Sequence, residues 1–105
     1  MRERDGYRRL LRRRARRLAR LFRSRGARAV FVFGSVARGE AMVGSDLDLA
    51  VVMPTEAPPH ERAVALLRGA EPRVPVDVLV LTPGEFSEEP SSRLVAIIRS
   101  EGVRV

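Results

Sequence analysis

Two aspartates, Asp46 and Asp48, lie one residue apart at the start of the stretch DLDLAVV. An ionised carboxylate is costly inside a buried strand unless a partner compensates its charge. Side chains at positions i and i+2 of a strand point to the same side, so the two carboxylates would repel each other with nothing between them. A bound cation relieves that repulsion, and the pattern therefore predicts a metal site.

A third acid, Asp77, is the only charge in the apolar stretch VPVDVLVL, which predicts a third buried strand. If this strand lies beside the first, Asp77 completes a three-carboxylate cluster; the alternative is a salt bridge to a nearby arginine. The chain has no cysteine and one histidine, His60, which we expect at the surface. Oxygen ligands of this kind favour Mg²⁺ or Mn²⁺ over zinc.

Gly34 and Ser35 follow the apolar run AVFVF, and ten residues separate them from Asp46. Glycine allows an unusual backbone angle or a close approach, and N–H groups at the start of a helix can hold phosphate oxygens. We expect a helical turn over 36–41, with Arg38 as a phosphate contact. Ser45, directly before the first aspartate, joins the predicted nucleotide-binding residues. A Gly-Ser pair alone would more often be an ordinary turn.

The elements that position these residues alternate between helix and strand, which predicts an α/β (α+β) fold with a small mixed sheet and helices packed on it. We expect one domain over residues 1–105, with an arginine-rich helix in 1–28 and a catalytic core in 29–105. The predicted helices are 5–24, 60–69 and 91–101. Val64 and Leu94 are among the residues expected to face inward, and Ser91 or Ser92 is the expected N-cap of the last helix. The predicted strands are 29–33, 46–53, 74–81 and a short edge strand at 103–105. Loops are predicted over 54–59 and 82–90.

Charge is spread unevenly along the chain, whose formal net charge is +7. Residues 1–28 hold 13 of the 20 arginines and only two acids, whereas residues 29–105 hold 7 arginines and 11 acids. The arginine face of the first helix admits a nucleic-acid partner. A solvated face is favoured instead, because no aromatic side chains interleave the arginines for base stacking.

Membrane and secretory segments are not predicted. No apolar run approaches the roughly 20 residues that a membrane span needs, and the N-terminus has no apolar signal core. A cytoplasmic protein is the expectation.

Three carboxylates that face a Gly-Ser turn form a site suited to a metal-bound triphosphate. A two-metal arrangement, about 3.5–4 Å apart, activates the attacking oxygen and steadies the leaving group. In this interpretation Asp46, Asp48 and Asp77 are the catalytic and metal-binding residues, and Asp77 accepts a proton from the attacking hydroxyl.

These residues resemble a known family. The segments GSVARGEA and GSDLDLAVV, followed by Asp77 in an apolar strand, are similar to the motifs of the minimal nucleotidyltransferases of prokaryotes, within the polymerase-β-like superfamily. The resemblance covers 27–105 and implies that Gly34 and Ser35 bind nucleotide phosphates. Many relatives carry a basic residue where this chain has Val36. Arg38 remains, so we expect phosphate binding to survive.

The resemblance also implies a partner. Such proteins are typically paired with an all-helical HEPN-domain toxin, and as antitoxins they move AMP from ATP onto a toxin tyrosine. Larger members add a second domain that closes the cleft. In this protein, a partner or a second copy of the chain would close the cleft instead of that second domain.

Three alternatives stay open at this point. The first is a non-catalytic nucleotide- or partner-binding module of the same fold, and the second is a nucleic-acid-binding protein that uses the arginine helix. The third, an Asp-x-Asp glycosyltransferase, fits the short chain poorly. The acceptor, the preferred base and the oligomeric state are not determined by the sequence.

Overall fold

The structure, a computed structural model, describes residues 2–87 and 92–105. Its helices and strands follow one another in the order α1 (Arg2–Ser24), β1 (Ala29–Phe33), α2 (Gly34–Ala37), β2 (Leu47–Val52), α3 (Pro59–Leu67), β3 (Val76–Leu81), α4 (Pro83–Ser87), α5 (Arg93–Glu101) and β4 (Val103–Arg104). The mixed α+β architecture of the prediction is confirmed.

The strands form one four-stranded sheet in the order β3-β2-β1-β4 within the described residues. β1 runs antiparallel to β2 and to β4, whereas β2 and β3 are parallel. Parallel neighbours need a crossover, and α3 provides it. The sheet therefore brings the start of β2 beside the start of β3 and the end of β1.

One face of the sheet carries the larger core. α1 presents an apolar stripe at helical spacing, and its side chains pack with those of β1, β2, β3 and α3. The fully buried side chains in this layer include Leu11, Leu18, Phe22, Val30, Leu47, Leu49 and Val51. The opposite face holds a smaller cluster under α4 and α5, which comprises Phe33, Ala50, Leu81, Val95 and Ile98.

The largest differences from the prediction concern α2 and α4. α2 spans Gly34–Ala37, directly after β1, instead of the predicted helical turn over 36–41. The predicted turn and acidic loop after β3 contain α4, although residues 88–90 of that loop lie outside the described residues. A reciprocal cap explains α4: Thr82 N donates to Glu85 Oε1 at 2.8 Å, and Glu85 N donates to Thr82 Oγ1 at 3.2 Å. This T-x-x-E capping box, with proline in the first turn, is a helix-start signal that the prediction overlooked.

The other differences lie at the element ends. β2 and β3 are shorter than predicted, and α3 begins one residue earlier, at Pro59. Val64 and Leu94, predicted to face inward, are 67% and 41% exposed, because only one stripe of a nine-residue helix meets the sheet. Ser92 caps α5 by accepting from Leu94 N and Val95 N. Ser91, the other candidate cap, lies outside the described residues.

Candidate active site

Strand register places the candidate residues at one end of the sheet. Asp48 of β2 is paired in register with Asp77 of β3 on one side and with Phe33 of β1 on the other. Gly34 follows Phe33 and opens α2. Gly34, Asp48 and Asp77, which are widely separated in sequence, therefore lie across three neighbouring strands at the same level.

Asp48 is the most enclosed of the three aspartates. It is half-buried, whereas Asp46 and Asp77 are exposed. Partial burial raises the pKa of Asp48 above its ordinary value, and the charges of Asp77 and Asp46 raise it further. Arg38 acts in the opposite direction on this pKa. The ionised form of Asp48 would thus gain from a cation placed among the carboxylates.

Gly34 is required by its contact with Asp48. Its φ of +70° lies in the left-handed region that other residues rarely adopt. A Cβ added at Gly34 would stand 2.2 Å from Oδ2 of Asp48, closer than any real contact. The backbone of Gly34, at the start of α2, therefore lies directly against the Asp48 carboxylate.

Two parts of the aspartate prediction are corrected by the structure. Asp46 was expected in β2, but the strand begins at Leu47 and Asp46 lies in the preceding loop. Asp77 was expected to be buried, but it lies near the open start of β3 and is exposed. Water reaches this end of the sheet, so the cost of an unpaired charge there is smaller than the apolar sequence suggested.

Arg38 lies between two acids. Its Nε stands 3.3 Å from Glu40 Oε1 and its Nη1 stands 3.8 Å from Glu101 Oε2 at the end of α5. The side chain is 43% exposed, so these ion pairs are weak. Arg38 is close enough to Asp48 to affect its pKa, and a ligand of higher negative charge could take it from Glu101.

The two serines differ in their surroundings. Ser35 follows Gly34 in α2, and its carbonyl accepts from Glu40 N at 2.8 Å. Ser45 Oγ accepts from Met42 N at 2.9 Å, so this hydroxyl closes the loop before Asp46. The bond to Met42 gives Ser45 a structural task that the sequence did not predict.

The donor set fits a hard divalent cation. Asp46, Asp48 and Asp77 supply carboxylate oxygens only, which suits Mg²⁺ or Mn²⁺. Within residues 2–87 and 92–105, no three His, Cys, Asp or Glu side chains are already gathered as a metal site. Asp46 and Asp77 lie near enough to Asp48 for their charges to raise its pKa.

The arginine face of α1 is partly engaged within the fold. Arg8 Nε donates to the carbonyl of Ala41 at 2.8 Å, and Arg23 donates to the carbonyl of Val105. Arg25, directly after the helix, donates to the carbonyl of Leu66. A cavity of about 460 Å³ between α1 and β4 is lined by Arg12 and Arg16 among others. None of the three aspartates lines that cavity, so it is separate from the candidate site.

A four-stranded mixed sheet with helices on both faces, and acids beside a Gly-Ser turn, defines a nucleotidyltransferase-like class of protein. The comparison with family models agrees, because the nucleotidyltransferase domain model matches residues 11–104. The chain belongs to this nucleotidyltransferase family, as the sequence motifs predicted.

Solved structures share the fold. A Sulfolobus solfataricus protein assigned as a nucleotidyltransferase has a TM-score of 0.61 and 25% identity, over 91% of this chain and 78% of that one. A toxin–antitoxin crystal structure with AMP-PNP has a TM-score of 0.60 and 20% identity, over 86% of this chain and 70% of that one, a likeness that shows the fold alone. No curated protein matches the chain. No helix in the described part of the chain is long and apolar enough to cross a membrane.

Proposed function

We propose that this nucleotidyltransferase transfers AMP from ATP to a hydroxyl group of a protein, and that the acceptor is a tyrosine of a HEPN-type partner which the chain silences as an antitoxin. The register of Asp48 with Asp77, with Gly34 packed against Asp48, is the observation that carries this assignment. Family membership supports nucleotidyl transfer in general. The fold shared with a toxin–antitoxin structure that contains AMP-PNP motivates the choice of ATP and of a partner protein.

Each candidate residue except Ser45 is assigned a task in this reaction. Asp46 and Asp48 would hold divalent cations, with Asp77 as the third ligand. Backbone N–H groups of Gly34 and Ser35 would face the triphosphate, and Arg38 would leave Glu101 to contact a phosphate. When bound, Mg²⁺ supplies neutralising charge for the triphosphate and the leaving group.

The reaction requires one bond exchange at phosphorus. The acceptor oxygen forms a bond to the α-phosphorus of ATP, while the bond from that phosphorus to the bridging oxygen breaks and pyrophosphate leaves. Asp77, exposed at the start of β3, would accept the proton of the attacking hydroxyl. Its exposure suits this task, because an acceptor presented by another protein must reach it from outside.

We take residues 1–105 as one minimal catalytic unit, the arginine-rich helix included. α1 supports this view because its apolar stripe packs into the same core as the sheet. The candidate site lies on the surface rather than inside an enclosed cavity, so a partner protein or a second copy of the chain is proposed to cover it.

The intact mass of a HEPN-type partner, after incubation with this protein, ATP and Mg²⁺, tests the proposal. We expect one or more added AMP units and no addition with Asp48→Asn. Parallel reactions with GTP, CTP and UTP measure the base preference. ATP binding without any added mass would point instead to another acceptor or to a non-catalytic module.

A salt-sensitive complex with RNA, lost when Arg13 and Arg17 are replaced, would favour the nucleic-acid alternative.

A further inference from the structure

Asp46 lies outside the sheet, so no strand ladder sets the direction of its side chain. That direction depends on the backbone angles of Asp46, which are set by the two peptide units on either side of its Cα atom. A metal ligand must be held in a defined orientation to act. The contacts that fix those two peptide units therefore decide whether Asp46 can act with Asp48.

Both peptide units are fixed by hydrogen bonds. On the C-terminal side, Leu47 N donates to the carbonyl of Pro75 at 2.8 Å, just before β3. On the N-terminal side, the carbonyl of Ser45 accepts from the hydroxyl of Tyr7 at 2.9 Å. Tyr7 belongs to α1 and lies 38 positions away in sequence. Tyr7 thus fixes the peptide unit before Asp46, as the carbonyl of Pro75 fixes the peptide unit after it.

The rest of the loop is also closed. Met42 N donates to Ser45 Oγ and Ser45 N donates to the carbonyl of Met42, both at 2.9 Å. Arg8, next to Tyr7 on α1, donates from Nε to the carbonyl of Ala41, whose side chain is fully buried. Residues 41–45 are thus held by hydrogen bonds within the loop, and hydrogen bonds from α1 hold both of its ends.

We propose that Tyr7 is a positioning residue for Asp46, and that Arg8 supports it by holding the far end of the loop. This inference rests on the proposed function of Asp46 as a metal ligand. It assigns to α1 a task in catalysis, since two of its side chains hold the loop that orients one of the carboxylates.

Tyr7→Phe tests the proposal, because it removes one oxygen and leaves the ring that packs against the core. We expect Mn²⁺ affinity, measured by electron paramagnetic resonance titration, to fall about three- to tenfold, the effect of one lost hydrogen bond. The kcat for transfer should fall at least about tenfold, because small displacements of reacting groups are costly. The affinity for ATP without metal should stay within about twofold, since Tyr7 donates to the backbone carbonyl of Ser45, whose hydroxyl stays bonded to Met42 N.

Ser24→Ala is the matched control. It also removes a hydroxyl of α1, one that donates locally to the carbonyl of Leu21 far from the loop. We expect wild-type Mn²⁺ affinity and kcat for this variant. Arg8→Met, which keeps an unbranched apolar stem without a donor, should fall between Ser24→Ala and Tyr7→Phe, because Ala41 is five residues from Asp46.

Mn²⁺ affinity is also measured for Asp46→Asn, and three outcomes decide whether Tyr7 positions Asp46. The inference holds if Asp46→Asn and Tyr7→Phe both weaken Mn²⁺ binding while the melting temperature of Tyr7→Phe matches that of Ser24→Ala. It is overturned, with the proposed function intact, if Asp46→Asn loses Mn²⁺ binding and Tyr7→Phe does not. Unchanged Mn²⁺ binding in Asp46→Asn would overturn both the inference and the assignment of Asp46.

Discussion

Asp48 and Leu49 are adjacent on β2, yet their side chains enter different environments. Leu49 is fully buried beneath α1, in the larger core. Asp48 points to the other face, at the open end of the sheet beside Gly34, and is only half-buried. At these two positions, the alternation of the strand therefore separates a residue of the core from a residue of the candidate site. Substitutions of Leu49 and of Asp48 should have separable effects on stability and on transfer, and five predictions test that separation.

The largest effect is expected from Asp48→Asn. We expect transfer to fall at least about 10³-fold, since metal-assisted charge stabilisation is worth several kcal/mol. The melting temperature should stay equal or rise slightly, because the variant removes a charge whose pKa is raised by burial and by neighbouring acids. Transfer assays and thermal unfolding in EDTA measure both quantities. Transfer at the wild-type rate would remove Asp48 from the site.

Leu49→Ala should show the opposite pattern. Truncating a fully buried leucine leaves a cavity and costs about 2–5 kcal/mol of unfolding free energy. Transfer measured well below the melting temperature should stay near that of the wild type. Urea unfolding checks the stability, and a loss of transfer in the folded variant would show that the two faces are coupled.

Gly34→Ala should both strain the backbone and displace Asp48, whereas Gly39→Ala should only strain the backbone. Both glycines have positive φ, +70° and +72°, so each substitution should cost roughly 1 kcal/mol in backbone strain. A Cβ meets Asp48 only at Gly34, whereas nothing lies within 4 Å at Gly39. We expect a loss of transfer of about 10² for Gly34→Ala alone. Equal activity of the two variants would contradict the close packing on Asp48.

Arg38→Ala is expected to act on the ligand rather than on the fold. Loss of a charge-assisted phosphate contact should weaken binding of a non-hydrolysable ATP analogue about tenfold. Unfolding free energy should change by less than about 0.5 kcal/mol, because the ion pairs with Glu40 and Glu101 are exposed. Isothermal titration calorimetry measures the binding, with Arg68→Ala, an exposed arginine after α3, as control. An unchanged dissociation constant would exclude Arg38 from the site.

The smallest effect is expected at Glu85, whose hydrogen bonds stabilise the start of α4. Glu85 accepts from Thr82 N and from Arg62 Nη1, and these bonds lower its pKa. A lowered carboxyl pKa contributes stability above the ordinary glutamate value, and this stability is lost as the pH falls through the folded-state pKa. The melting-temperature advantage of wild type over Glu85→Gln should therefore be present at pH 7 and shrink below about pH 4.3.

Glu56→Gln, an exposed glutamate in the loop after β2, serves as control for that series. Its melting temperature should follow the wild type at each pH. A constant difference between wild type and Glu85→Gln across pH 3–7 would show that the ionised form of Glu85 adds nothing to the stability of α4.

Local sequence signals were sufficient for most of the fold. The periodic apolar stripe of α1, the apolar runs of the strands and the serine cap of α5 each depend on neighbours in the chain. The Gly-Ser and Asp-x-Asp motifs identified the family for the same reason, since their spacing is local. α4 was missed although its capping box, Thr82 to Glu85, was visible in the sequence.

Tertiary structure decided how those pieces form a site. The sequence could not show that Asp48 pairs with Asp77 in register, because strand pairing depends on contacts between distant segments. Nor could it show that Asp46 leaves the strand beside a carbonyl, that of Ser45, which Tyr7 binds, or that Arg38 is paired with Glu101. Residue types and short spacings thus determined which chemical groups are available, whereas long-range packing determined which carboxylates are neighbours and what surrounds them.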